Sequence, residues 1–130
     1  MLRQSLMALV LSAALTGAAG CAHHEYAVID EPISTGGRAL TIEQVQQGIV
    51  KACLNRNWTA TVKEPGLINA SHAKGDRGVE VEIRFTDTSF SILPAARDGV
   101  RAKKFNQWVR NLEKELRLQL GMLTLGEVPR

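Results

Sequence analysis

From Thr41 onward the chain switches between two hydrophobic periods, and each switch marks an element boundary. Ile42, Val45, Ile49 and Cys53 recur at helical spacing, and Thr41 followed three residues on by Gln44 has the make-up of a capping box. This predicts a helix over 42–54, with Asn55 and Asn57 able to take the left-handed conformation that ends it. The period then drops to two. Trp58, Ala60 and Val62 alternate with Thr59, Thr61 and Lys63; in Glu64-Pro65-Gly66-Leu67, Pro65 presets φ and Gly66 supplies the positive φ of a type II turn. Ile68, Ala70 and His72 continue the alternation, and Lys74-Gly75-Asp76-Arg77-Gly78 turns into Val79, Val81, Ile83 and Phe85, set against Glu80, Glu82 and Arg84. After a turn at Asp87 and Thr88, Phe90 and Ile92 alternate with Ser89 and Ser91 until Pro94, whose missing N–H is expected to stop the strand. Beyond a loop over 95–99, Phe105, Val109, Leu112, Leu116 and Leu120 return to spacings of four and three. Trp108 flanks that stripe, Glu113 and Arg117 form an i,i+4 pair on the outer side, and Gly121 is the expected stop.

The predicted order is α-β-β-β-β-α: an α+β domain over 41–122, a four-stranded antiparallel meander with two helices packed on its Trp58/Val81/Ile83/Phe85 face. The opposite face, with Thr59, Thr61, Lys63, Asn69, Ser71, Glu80, Glu82 and Arg84, is expected to meet water. Trp58 and Trp108 share the parity of the core residues and are expected to pack between sheet and helices. Residues 22–40, with Pro32, Gly36 and Gly37, read as a tether of about 60 Å reach, in which 28–33 is the one stretch able to dock as an edge strand. Residues 123–130 read as a C-terminal tail.

The first twenty residues follow a different pattern. One cation at Arg3, an apolar run over 5–15 and small residues over 16–20 have the order of a secretory signal peptide. The apolar run is shorter than the roughly 20 residues that span a bilayer. Leu15-Thr16-Gly17-Ala18-Ala19-Gly20-Cys21 resembles the bacterial lipobox, with Ala18 where Leu is usual. That resemblance implies cleavage before Cys21 and lipidation of Cys21, and Ala22 in place of Asp implies delivery to the outer membrane. Three acyl chains of the palmitate kind, at about 0.8 kcal/mol per buried methylene, make a permanent anchor. The alternative is ordinary cleavage nearby, which gives a soluble periplasmic protein and leaves a Cys21–Cys53 disulfide open.

Cleavage changes what composition implies. Of the charged residues only Arg3 is lost, so a formal charge of +3 over 130 residues becomes +2 over a mature chain of single-domain size. Near-neutrality and an exported address argue against nucleic acid as a partner. Lipidation of Cys21 leaves Cys53 unpaired on an apolar helix stripe, where an inert core thiol is expected. His23-His24 lacks a third ligand, so no metal site is assigned, and no cofactor is expected. His72 near Ser71 and Asp76 has the residue types of a triad, yet neighbours on a strand point to opposite faces. No catalytic residue is assigned, and His72 is expected at a sheet edge. Arg97, Arg101, Lys103 and Lys104 gather at the start of the last helix, where the helix dipole disfavours cations. They form a candidate interaction patch for anionic lipid headgroups, lipopolysaccharide phosphates or an acidic partner. The competing account is a solvated loop in which Asp98 is the counter-charge.

These features together resemble a group of small, uncharacterised proteobacterial lipoproteins. The resemblance rests on the lipobox, Pro32-Ile33, Val45 and Ile49, Trp58, Glu64-Pro65-Gly66-Leu67-Ile68-Asn69-Ala70, the strand through Ile83, and Phe105-Asn106-Gln107-Trp108-Val109-Arg110-Asn111-Leu112. In that group Tyr more often opens the last motif and Gly precedes the Trp where this chain has Asn57. The resemblance implies an outer-membrane lipoprotein and no particular activity. The expected function is a non-enzymatic, periplasm-facing binding or envelope-maintenance module, held by its N-terminal lipid, with an envelope protein, a glycan or anionic lipid as partner. An accessory subunit of outer-membrane protein assembly, or a small periplasmic hydrolase or its inhibitor, are the alternatives.

Overall fold

A computed structural model describes residues 25–125. The expected signal peptide over 1–20, Cys21, His23-His24 and the expected tail beyond 125 lie outside the described residues. The elements run β1 (Ile29–Pro32), α1 (Ile42–Asn55), β2 (Thr59–Glu64), β3 (Leu67–Lys74), β4 (Arg77–Phe85), β5 (Ser89–Asp98) and α2 (Ala102–Leu125). The sheet is antiparallel with order β1-β5-β4-β3-β2. It therefore has five strands where the periodicity predicts four: β2 to β5 form the expected meander, and β1 adds to the free side of β5.

One transverse row shows how the alternation builds the core. Ile29 pairs with Ile92, Ile92 with Ile83 and Ile83 with Ile68. All four are buried, on the same face as Ala70, Val81, Phe85 and Phe90. Val45, Ile49, Ala52 and Cys53 of α1 and Phe105, Val109, Leu112, Leu116 and Leu120 of α2 join them in one cluster. The helices meet at Gly48, where a Cβ would come within 2.8 Å of Leu120 Cδ2.

Local chemistry sets the element ends. The capping box forms: Gln44 N–H donates to Thr41 Oγ1 and Thr41 N–H to Gln44 Oε1. At the other end of α1, Asn57 takes φ of 64°, with Trp58 N–H on Cys53 O and Asn57 N–H on Leu54 O. These are the two bonds of a Schellman motif. Gly66, at φ of 86°, turns β2 into β3.

Three boundary expectations are corrected. Pro94 does not end its strand: β5 continues to Asp98. The register slips beside it, from Glu80↔Ala96 to Val81↔Pro94, and β1 covers β5 only over 89–92. Pro94 thus sits at a bulge in an edge segment, where its missing N–H is tolerated. Gly121 does not end α2, which runs on to Leu125, so the start of the expected tail is helical. Residues 25–40 are not a free tether. Tyr26 is half-buried against Phe105, and Ile29, Ile33 and Leu40 are core residues.

Two substitutions test these assignments by thermal unfolding. Ile83→Ala is expected to lower stability by about 2–5 kcal/mol through the cavity it leaves. Gly66→Val is expected to destabilise by about 1–3 kcal/mol, since a β-branched side chain resists positive φ. Its Cβ would also press on Phe85 O at 3.1 Å.

Candidate functional site

The strap formed by residues 25–38 runs along α2 from that helix's first turns to its last, pinned at three levels. The Asn106 side chain donates to Glu25 O and accepts from Ala27 N–H. Arg117 donates to Glu31 at 2.7 Å, and Arg38 donates to Thr124 O at 3.2 Å. Between the last two pins, strap and helix stand apart and leave a groove of about 690 Å³. Pro32, Ile33 and Gly36 form one wall, Leu118, Gly121 and Met122 the other, with Phe90 and Leu120 between. Leu118, Met122 and Leu125 are 54%, 52% and 78% exposed. Their spacing of four and three makes a second, outward apolar stripe on the end of α2. The sequence reading missed it because Gly121 was expected to end the helix first.

Charge is concentrated where the groove meets the core. Ile29, Glu31 and Ile33 alternate, so Glu31 points to the helix side, opposite Phe90. There Arg117 bridges it to Glu113, with 2.7 Å to each carboxylate. Glu113 and Arg117 thus pair as expected, but not on an outer side: Glu113 is buried, 7% exposed. Desolvation, followed by the hydrogen bond to Glu31, holds the Glu113 carboxyl above its ordinary value of 4.5. The same hydrogen bond, followed by that from Arg117, holds Glu31 below it. Of two carboxyls facing one guanidinium, Glu113 thus holds a proton more readily than Glu31.

The other sequence candidates fall elsewhere. β3 lies between β2 and β4, but its pairing with β2 ends at Thr59↔Ser71, so His72, paired with Val79 alone, lies just past that margin of the sheet. It stacks on Trp58 at 5.1 Å, meets Trp108 edge-on at 4.7 Å and shares a hydrogen bond with Asn57 O. Trp58 is buried and Trp108 half-buried, so the aromatics cap the core, as their parity predicts. Ser71 pairs with Glu80 on the opposite face from His72, which pairs with Val79. Cys53 is buried, and desolvation pushes its thiol up to about 12. Arg97, Arg101, Lys103 and Lys104 are exposed around the junction of β5 and α2, with Arg97 over the Tyr26 ring at 4.0 Å. Among the described residues none of these four cations is in an ion pair, with Asp98 or any other carboxylate. Among the described residues no group of His, Cys, Asp or Glu is placed to hold a metal ion. No helix there is long and apolar enough to cross a membrane. No protein-family model, curated protein or solved structure matches this chain.

The carboxyl pair gives a pH signature. Above the ordinary value of 4.5, unfolded Glu113 loses its proton before the folded group does, so stability from this group falls as pH rises. Below 4.5, unfolded Glu31 gains a proton before the folded group does, so stability falls as pH drops. Glu113→Gln removes the first limb. The melting temperature of the variant, relative to the parent, is expected to climb from mildly acidic to neutral pH; a difference that stays constant would show that the Glu113 carboxyl titrates alike in the folded and unfolded chain. Gly121→Ala, with open space around the new Cβ, is expected to add about 0.5–1 kcal/mol of helix stability while narrowing the groove.

Proposed function

We propose that the protein is a non-enzymatic binding module, lipid-anchored at Cys21 to the bacterial outer membrane and facing the periplasm, which takes an apolar segment of an envelope protein between strap and α2. The observation that carries the binding part is the outward stripe of Leu118, Met122 and Leu125 beside a groove of about 690 Å³. A water-facing helix end gains nothing from three exposed apolar side chains in a row, whereas a partner that covers them gains about 25 cal/mol per Å² of apolar surface removed from water. Glu31 and Arg117 at one end of the groove supply the polar contacts that would fix the register of a bound segment. The anchor is supported by the n-, h- and c-region order and by the small residues before Cys21.

Two measurements test the two parts separately. Mass spectrometry of the mature N-terminus is expected to find Cys21 first and acylated, and Cys21→Ala to move the protein from the membrane to the soluble fraction. An unmodified N-terminus elsewhere would remove the anchor. A photo-crosslinking residue at Met122, in intact cells, is expected to trap one protein species that a crosslinker at Glu82 on the open sheet face does not. Equal or background yields at both positions would remove the groove as the binding site.

A further inference from the structure

We propose that the domain does not hang away from the membrane on a tether but stands on it, with the end that carries Arg97, Arg101, Lys103 and Lys104 seated on anionic phospholipid headgroups. The inference rests on the lipid anchor at Cys21 proposed above.

The first ground is where the chain enters the fold. The Asn106 side chain clamps Glu25 O and Ala27 N–H at 2.8 and 2.7 Å, and the Tyr26 hydroxyl donates to Val100 O at 2.8 Å. Residue 25 is therefore fixed beside the start of α2. Cys21 lies four residues before it, which limits the lipid to about 14 Å from this end of the domain. A tether of nineteen residues would have left orientation free; four residues cannot. The far end of α2, with Met122, is about 30 Å farther along the helix axis.

The second ground is charge. The β3–β4 turn reaches the same end of the sheet, because Lys74 pairs with Arg77 and Gly78 with Asp98. Lys74 and Arg77 thus join the four cations, and all six are exposed. Glu25, Asp76, Glu80 and Asp98 are the carboxylates nearby, Glu80 through its pairing with Ala96, so this end keeps a surplus of two positive charges from six cations and four carboxylates. α2 has no acidic residue in its first turn, so the positive pole of its dipole adds to that field instead of being offset. Each cation brought to an anionic bilayer surface is worth about 1 kcal/mol, or about fivefold in the population of that orientation. With the anchor holding this end at the surface, no further loss of translational freedom opposes contact. The groove, lined by the last turns of α2, then lies at the end away from the bilayer.

The test uses the lipidated full-length mature protein in vesicles, with a fluorophore on Ala96→Cys at the basic end or on Met122→Cys at the far end. Buried Cys53 does not compete for the label. With phosphatidylcholine vesicles containing a third phosphatidylglycerol and headgroup-spin-labelled lipid, the Ala96 label is expected to be quenched at least about threefold more than the Met122 label, given a separation of about 30 Å. The difference is expected to collapse in phosphatidylcholine alone, at raised NaCl, and in the Arg97→Gln/Arg101→Gln/Lys103→Gln/Lys104→Gln variant, provided that its melting temperature matches the parent's. Equal quenching of the two labels, or a difference insensitive to phosphatidylglycerol, in protein that carries its acyl chains and floats with the vesicles would overturn this proposal and leave the anchor standing. Protein whose Cys21 carries no lipid and which fails to float would overturn the anchor, and the seated orientation with it.

Discussion

The fastening of residues 25–38 along α2 is the constraint on which the remaining geometry depends. Hydrogen bonds at Asn106, Arg117 and Thr124 O fix its register, but they are not its main source of stability. Two of the three levels are exposed, where each bond contributes about 1 kcal/mol net. Burial of Ile29 and Ile33, at about 1.5–3 kcal/mol each, outweighs them. From this one contact come the fifth strand, one wall of the groove, the enclosure of Glu113 and the point at which the chain enters the fold.

Most of the sheet was legible in the sequence because β3 and β4 bury one face and wet the other, which forces strict alternation, and because Gly66 and Gly75 mark their turns with the positive φ that their positions require. β1 was legible only as a possible edge strand. Its four residues span a single alternation, and its partner lies some sixty positions away, at Ser89 to Ile92. Pro94 misled because the rule for proline depends on whether the flanking side is covered, which composition does not carry. Gly121 misled for a similar reason: the same residue can cap a helix or lie within one, and here packing of Leu123 near Gly48 keeps the helix going. The Glu113–Arg117 pair was read correctly as a pair and wrongly as a surface feature, since only the strap brings Glu31 against it. Leu118, Met122 and Leu125 had the right spacing all along, hidden by the misplaced stop.

α2 is chemically polarised. Cations crowd its first turn, and its last turn has no basic residue of its own. Arg38 donates to Thr124 O from the strap and so supplies the positive group that the C-terminal carbonyls lack. In the proposed reading the two ends divide the labour, the basic one meeting lipid and the apolar one meeting protein. The Arg117 bridge belongs to the second end, where a guanidinium with one clear face and two carboxyl partners can hold the strap while a segment enters beside it.

The strand order also bears on how copies of this protein tolerate crowding. A five-stranded sheet has two free margins, and each is poorly suited to growth. One is β1, four residues long and closed by Pro32, which offers no N–H to a newcomer. The other is β2, whose pairing with β3 slips between Val62 and Glu64 and whose outer residues include Lys63. Packed side by side at high density on a surface, such molecules would find no straight margin along which to zip into a continuous sheet, so close spacing need not become aggregation.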